Sequence, residues 1–375
     1  MASFKNLYLP ILFILLKHIS ANHSVKSTFY SRTDEIYMLA SKTAISKTIS
    51  AENVWTKFQS ASDCNLSNEG NITYSLRHST VGELSSVGPC SYERNDWIYL
   101  FTKLSKKHQR NKELVNLRLI VCIGDCNFKP PSETLVLSKA RLITAPNFRT
   151  VTLLPLNINR HFKDLKYGLN DKILFENKKP IAVWRGVTTG ENHCWVNNLK
   201  YEKLTNEYLI ECPRSNLATL WSNSSSKSVD VGITKIVQYT NFDPDSYSYL
   251  LKNFIPIKDM LKYRYIISVE GNDVATNLKW ALASNSVVLM PKPRIETFFG
   301  EGRLEPYVHY IPLRSDTKDL IEKIVFCEER ISFCKNVSKN SRNYALKYKN
   351  LANIYEMGLP VLEKHLHAVL NQNKI

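Results

Sequence analysis

Three short stretches hold residue types that could do chemistry together. Asp125 stands one residue beyond Gly124, at the end of the apolar run "NLRLIVCI" of residues 116–123. A carboxylate at such a strand end points into a cleft and can take a proton from a hydroxyl. Capping the next turn is the competing use of the same side chain. The second stretch is "WRGVTTG", from Trp184 to Gly190. Its Arg185 stays charged, while Gly186, Thr188, Thr189 and Gly190 let hydroxyls and backbone N–H groups approach a phosphate. An ion-paired arginine beside a loop is the plainer reading of that stretch. In the third, Glu270-Gly271-Asn272 offers a carboxylate and an amide to ribose or sugar hydroxyls. Weaker patterns are set aside. Asp243-Pro244-Asp245 has the spacing of a divalent-metal pair but reads better as an acidic turn. Cys122 and Cys126 have no histidine nearby and read as structural thiols. Walker loops, His-Glu-x-x-His and Gly-x-Ser-x-Gly do not occur.

Positioning these residues requires a particular set of elements. Residues 25–115 are mixed, with a helical pattern near Glu52–Phe58 and a strand at Ile72–Leu76. Strand-like runs follow at Thr134–Leu137, Thr150–Leu154, Ile181–Trp184, Tyr263–Val269, Val287–Met290 and His309–Leu313. Helices are expected from Val274, where Val274, Leu278, Ala281 and Leu282 recur at helical spacing, and from Thr317. Between about residues 190 and 260 the pattern weakens, and Ser222–Ser228 reads as a surface loop. The last 45 residues read as helices packing across the body. Strand alternating with helix predicts an α/β fold with a parallel sheet covered on both faces. Three sites at strand ends, in two halves of the chain, then describe a cleft between domains that fits a nucleotide bearing a sugar.

Length and charge set outer bounds. A chain of 375 residues can make two domains, and its 43% hydrophobic content is that of a folded protein rather than a disordered one. A formal charge of +16 favours an anionic partner, yet the basic residues are dispersed, so a basic enzyme fits better than a nucleic-acid or heparin-like polyanion binder. Near the N-terminus Lys5 precedes the apolar run Leu7–Leu16, which ends at Lys17. Such a run is short for a bilayer span but suits the core of a signal peptide, with a cut near Ala21. An uncleaved anchor is the alternative, and it would be the chain's one membrane contact. Eight cysteines accord with an oxidising compartment, with connectivity left open. The sequons at Asn22, Asn65, Asn71, Asn223 and Asn336 are no more than a chain so rich in Asn and Ser would carry by chance.

The stretch "KYRYIISVEGNDVATNLKWALASNSVVLMPKPRIETFFGEGRLEPYVHYIPLRSDTKDLIEKI" resembles the C-terminal half of glycosyltransferase family 90, in its branch for lipopolysaccharide or capsule synthesis. Upstream, "IVCIGD", "LVLSKAR", "LLPLNINRHF", "AVWRGVTTG" and "VDVG" stand in the family's order, so the likeness runs from about Leu117 to Tyr348. The resemblance implies a GT-B architecture, two Rossmann-like domains facing a cleft. It further implies inverting transfer of a sugar, glucose or xylose, from a UDP-sugar to a hydroxyl of a glycan or glycoprotein, with no metal or other cofactor and no nucleic acid. Relatives in this family include protein O-glucosyltransferases of the endoplasmic reticulum and fungal xylosyltransferases.

By the same resemblance Asp125 matches the general base, and Arg185, Gly186, Thr188 and Thr189 match the loop that neutralises the diphosphate. Glu270, Gly271, Asn272 and Ala275 match the donor turn, Lys279 adds charge beside it, and Glu296 and Glu301 match acidic residues on the donor side. The eukaryotic glucosyltransferases carry an arginine on the helix after this turn, where this chain has Asn277 and Leu278. Residues 191–219 also depart from the pattern, and Cys194 and Cys212 could bridge an insertion there. The expected organisation is a leader or anchor at 1–24, an acceptor-side domain at 25–180, a donor-nucleotide domain at 181–345 and a helical segment at 346–375. The expected location is the endoplasmic reticulum or Golgi lumen, or outside the cell. A noncatalytic member of the family that binds a glycan or protein is the alternative.

Overall fold

The computed structural model describes residues 135–143, 150–190, 212–237 and 245–372, together with the strand at 121–122 and isolated positions of a helix between 93 and 107. The chain divides into two compact units, one formed by Met1–Asn159, Thr297–Phe299 and Leu351–Ile375, the other by Arg160–Glu296 and Gly300–Asn350. The boundary expected after residue 180 therefore falls inside the second unit, and the terminal helix belongs to the first.

In the first unit β1 (Val121–Cys122), β2 (Val136–Ser138) and β4 (Val151–Leu153) form a parallel sheet in the order β1-β2-β4. The short β3 (Ala140–Leu142) lies between β2 and β4 in sequence. A helical stretch carries buried Asp96, whose carboxylate accepts the Ile158 N–H at 3.1 Å and the Tyr355 hydroxyl. Burial pushes this carboxyl up to about 7, against the pull of those hydrogen bonds. Because the folded value exceeds that of the unfolded chain, the folded state binds the extra proton. Asp96 therefore supports folding fully below about pH 4, and this contribution is lost as pH rises to about 7. Asp96→Asn, which cannot ionise, should flatten that part of the pH–stability curve, by up to a few kcal/mol between pH 5 and pH 8. Thermal denaturation of both proteins at the two pH values measures it, and parallel curves would rule it out.

The second unit is built on five parallel strands in the order β10-β8-β7-β5-β6. They are β5 (Lys179–Val187), β6 (Val229–Lys235), β7 (Tyr263–Ile267), β8 (Val287–Pro291) and β10 (Ile311–Leu313), with the short β9 (Ile295–Thr297) preceding the last. The strands are rich in β-branched residues and buried on both faces, as a parallel sheet covered by helices requires. Ala182, Trp184, Val231, Tyr265 and Ile267 share one core cluster with Leu217, Leu320 and Ile324, while Val183, Ile266 and Val288 are fully buried between them in sequence. The helices are α1 (Leu165–Leu169), α2 (Pro213–Trp221), α3 (Leu278–Leu282), α4 (Leu320–Glu329) and α5 (Ile331–Ala345), and α6 (Leu351–Gln372) completes the first unit. No helix among the described residues is long and apolar enough to cross a membrane.

Two expected helices begin later than their patterns suggested. The one read from Val274 starts at Leu278, because Asn277 turns its amide back to the Ile267 carbonyl (2.9 Å) and its oxygen to the Ser268 hydroxyl (3.1 Å). The one read from Thr317 starts at Leu320, since Thr317 takes a left-handed φ of 54° and closes a turn with the Leu320 N–H. The weakly patterned region holds α2 and β6, while Ser222–Ser228 is a loop as its composition implied. Cys327 and Cys334 form a disulfide across the α4–α5 junction, and Cys212 is also disulfide-bonded. Bridges of this kind persist in oxidising compartments.

Candidate functional site

From β5 the chain passes to β6 on one side of the sheet and then to β7 on the other. The carboxyl ends of β5 and β7 therefore flank a topological switch point, the place where open α/β sheets bind ligands. Two loops meet there, Thr188–Gly190 after β5 and Glu270–Asp273 after β7. The Gly190 N–H donates to the Asn272 side-chain oxygen at 2.8 Å, and the Gly271 N–H donates to the Asp273 carbonyl at 2.9 Å.

Between the loops lies Arg214, the second residue of α2. Its Nη1 donates to Thr189 Oγ1 at 2.6 Å and to the Val187 carbonyl at 3.5 Å, and its Nε to the carbonyls of Val269 and Glu270 at 3.2 Å each. One guanidinium thus ties both strand ends together and stays charged at any working pH. Gly271 allows the approach, for a Cβ there would fall 2.7 Å from the Arg214 guanidinium carbon and 2.8 Å from Thr189 Oγ1. Glu270 Oε1 accepts the N–H groups of Arg294 and Ile295 at 2.9 and 3.1 Å, fixing the loop that leads into β9. Burial raises the Glu270 carboxyl to about 7, more than those two hydrogen bonds lower it.

The other expected site residues fall in several places. Arg185 lies within β5, not beyond it, and its side chain reaches across to β6. Its Nη2 pairs with Asp230 Oδ1 at 2.8 Å, while Nη1 and Nε donate to the carbonyls of Trp184, Asp230 and Asn253. Burial works to raise the Asp230 carboxyl, but Arg185 and Lys252 together hold it below its ordinary value. The ion-paired reading therefore describes Arg185, and the cation at the switch point is Arg214. Gly186 is needed because a Cβ there would fall 2.4 Å from the Trp184 ring. The Thr188 hydroxyl spans the Val237 carbonyl and N–H, both at 2.8 Å, which joins the ends of β5 and β6. Ala275 is buried behind the turn, and Glu296 is buried in β9. Lys279 and Glu301 form an ion pair of 2.9 Å whose side chains are 1% and 0% exposed. They satisfy each other in the interior rather than on an open surface. Asp125 and Asp243 lie outside the described residues.

Arg214, absent from the residues expected at the site, does carry a sequence signal. Proline at the first helical position, as Pro213 is, marks a helix start, and the next residue faces the strand ends.

Strand ends, a glycine turn and a fixed cation meet at a switch point of a Rossmann-like α/β unit, the place where such sheets bind ligands. Residues 138–367, more than half of the chain, match Glycosyl transferase family 90, and the chain belongs to that family. It is 34% identical over 242 residues to O-glucosyltransferase LpsA of Dichelobacter nodosus, covering 64% of each chain. Similarity extends to Protein O-glucosyltransferase 2 of Danio rerio, 33% identical over 138 residues (36% of this chain, 25% of the other). Protein O-glucosyltransferase 3 of Homo sapiens is 26% identical over 145 residues (38% and 28%). The chain thus spans under two thirds of the first relative and about a quarter of the other two.

Proposed function

We propose that the protein is an inverting glycosyltransferase that moves a sugar from a UDP-sugar to a hydroxyl of a glycan or glycoprotein without a metal ion. The observation that carries this reading is Arg214, a permanent cation held by Thr189 and by carbonyls of two strand ends beside Gly271. In this role it meets the charge that collects on the departing diphosphate, as a preorganised donor should. Glu270 and Asn272 face the ribose or the sugar. Asp125, three residues beyond β1 in sequence, is the base. It takes the proton of the acceptor hydroxyl as that oxygen forms the new bond to the anomeric carbon. The bond from that carbon to the diphosphate oxygen breaks on the opposite face, and its electron pair leaves with UDP. The two units form a GT-B pair in this reading, with the donor on the second. Glucose is the first donor to try, because the relatives are named O-glucosyltransferases, and xylose is the second. The disulfides favour the lumen of the secretory pathway.

UDP release by purified, disulfide-bonded protein, measured with UDP-glucose, UDP-xylose, UDP-galactose and UDP-N-acetylglucosamine in the presence of EDTA, tests the proposal. One donor should be turned over, and Asp125→Asn should lower the rate by roughly 10²–10⁴-fold while UDP still binds. Turnover that EDTA abolishes would refute metal independence. Silence with every donor, together with no UDP binding, would leave a noncatalytic binder.

A further inference from the structure

The segment "LLPLNINRHF" has no role in the reaction as described, yet its last two residues lie directly beneath the donor turn. His161 Nε2 is 3.9 Å from Asp273 Oδ2, with side chains 2% and 7% exposed. Asp273 is the residue that closes the turn. Its Oδ1 accepts the Val274 N–H at 2.6 Å, and its carbonyl accepts the Gly271 N–H at 2.9 Å. Phe162, the next residue, lies under Lys279 of α3, whose ammonium is 5.3 Å from the ring centroid and is paired with Glu301. Phe162 in turn rests against Tyr348, with centroids 5.7 Å apart. So two consecutive side chains support the two ends of one functional element: His161 the turn, Phe162 the helix that leaves it.

We propose that His161 is a positioning residue of the donor site, bracing Asp273 so that the turn Glu270–Asp273 holds Gly271 and Asn272 in place for the nucleotide. This rests on the reading of that turn as the donor site. The imidazole itself touches no substrate. A buried imidazole beside a carboxylate in a low-dielectric interior restrains it far more than an exposed pair would. The turn needs such restraint, because Gly271, which must lack a Cβ to let Arg214 approach, is also the residue least constrained by its own side chain.

The test uses the full chain, with UDP affinity by calorimetry and hydrogen exchange of amides 271–274 as paired readouts. His161→Ala should bind UDP about tenfold more weakly, and those four amides should exchange faster while the peptides of β5 and β6 do not. His161→Gln, which keeps a side-chain donor, should restore most of the affinity and protection, and Asp273→Ala serves as the test if His161→Ala fails to fold. Asp273→Ala should weaken UDP binding to a similar degree, and the double variant no further than the worse single one, because the pair acts as a unit. Wild-type affinity and exchange in His161→Ala would overturn the proposal. So would faster exchange spread evenly over β5 and β6, the mark of a residue that merely fills the core. If the wild-type protein binds no UDP, the donor reading falls on that result alone, and exchange at residues 271–274 still decides whether His161 braces the turn.

Discussion

Arg214→Ala is expected to weaken UDP binding by roughly 100-fold or more, the largest effect on that affinity of any single change at the site. The estimate follows from what the side chain does. It is the cation between the ends of β5 and β7, with four acceptors fixing its plane: Thr189 Oγ1 and the carbonyls of Val187, Val269 and Glu270. Hydrogen bonds to a charged group contribute about 1.5–3 kcal/mol each, and a loss of about 3 kcal/mol is roughly 100-fold in affinity. Lysine should not restore binding, because a point charge on a flexible stem cannot hold the same fork of carbonyls. The informative control is Arg185→Ala. Arg185 is bound to Asp230 and three carbonyls, so its loss should lower the melting temperature and leave UDP affinity nearly unchanged. Calorimetric titration of UDP into both variants separates the two arginines. An Arg214 variant that binds as wild type, beside an Arg185 variant that does not, would reverse their assignment.

That pair of arginines also shows where the sequence was legible and where it was not. Strands β5, β7 and β8 could be read because each is a β-branched apolar run, and a strand buried on both faces has little freedom to be anything else. The turn Glu270–Asp273 was legible for a related reason: a short polar stretch between a buried strand and an apolar helix must lie at a strand end. Which way a side chain points from a strand is a different matter. Arg185 sits next to Trp184 in an apolar run, and nothing local says that the chain 45 residues later returns with Asp230 to pair with it. Arg214 was hidden because α2 is short and nearly without amphipathic pattern, its place set by packing against β6. Lys279 and Glu301 are opposite charges 22 residues apart, each plausible on a surface. Only the fold shows that they satisfy each other in the interior.

Gly168→Ala is expected to be the most damaging small substitution in the second unit, and it opposes propensity to sterics. In an exposed helix alanine would be favoured over glycine by about 1 kcal/mol. Here a Cβ on Gly168 of α1 would stand 2.0 Å from the Trp280 carbonyl oxygen and 3.0 Å from the Ala283 Cβ, so backbone rather than a flexible side chain blocks it. The two helices would have to separate by more than an ångström. Arg342 of α5 forbids that cheaply, since its Nη1 donates to the carbonyls of Gly168 (2.9 Å) and Ala283 (2.6 Å) and its Nη2 to that of Leu169 (2.5 Å). One guanidinium thereby caps the carboxyl ends of α1 and α3 at their closest approach. Overpacking a tight core costs about 1–3 kcal/mol, and weakening these charge-assisted bonds adds to it. A total of about 3–5 kcal/mol would consume much of the 5–15 kcal/mol that holds a typical domain folded. The melting temperature should fall by roughly 10 °C or more. Arg342→Ala should destabilise comparably, and the double variant by less than the sum, because separating the helices forfeits the same three bonds. A Gly168→Ala protein within about 1 kcal/mol of wild type would mean that helix propensity prevails and that α1 and α3 can part freely. Since only four residues separate α3 from the turn Glu270–Asp273, an intact fold with that much give would, on the proposed reading of that turn, also predict weaker UDP binding in the same variant.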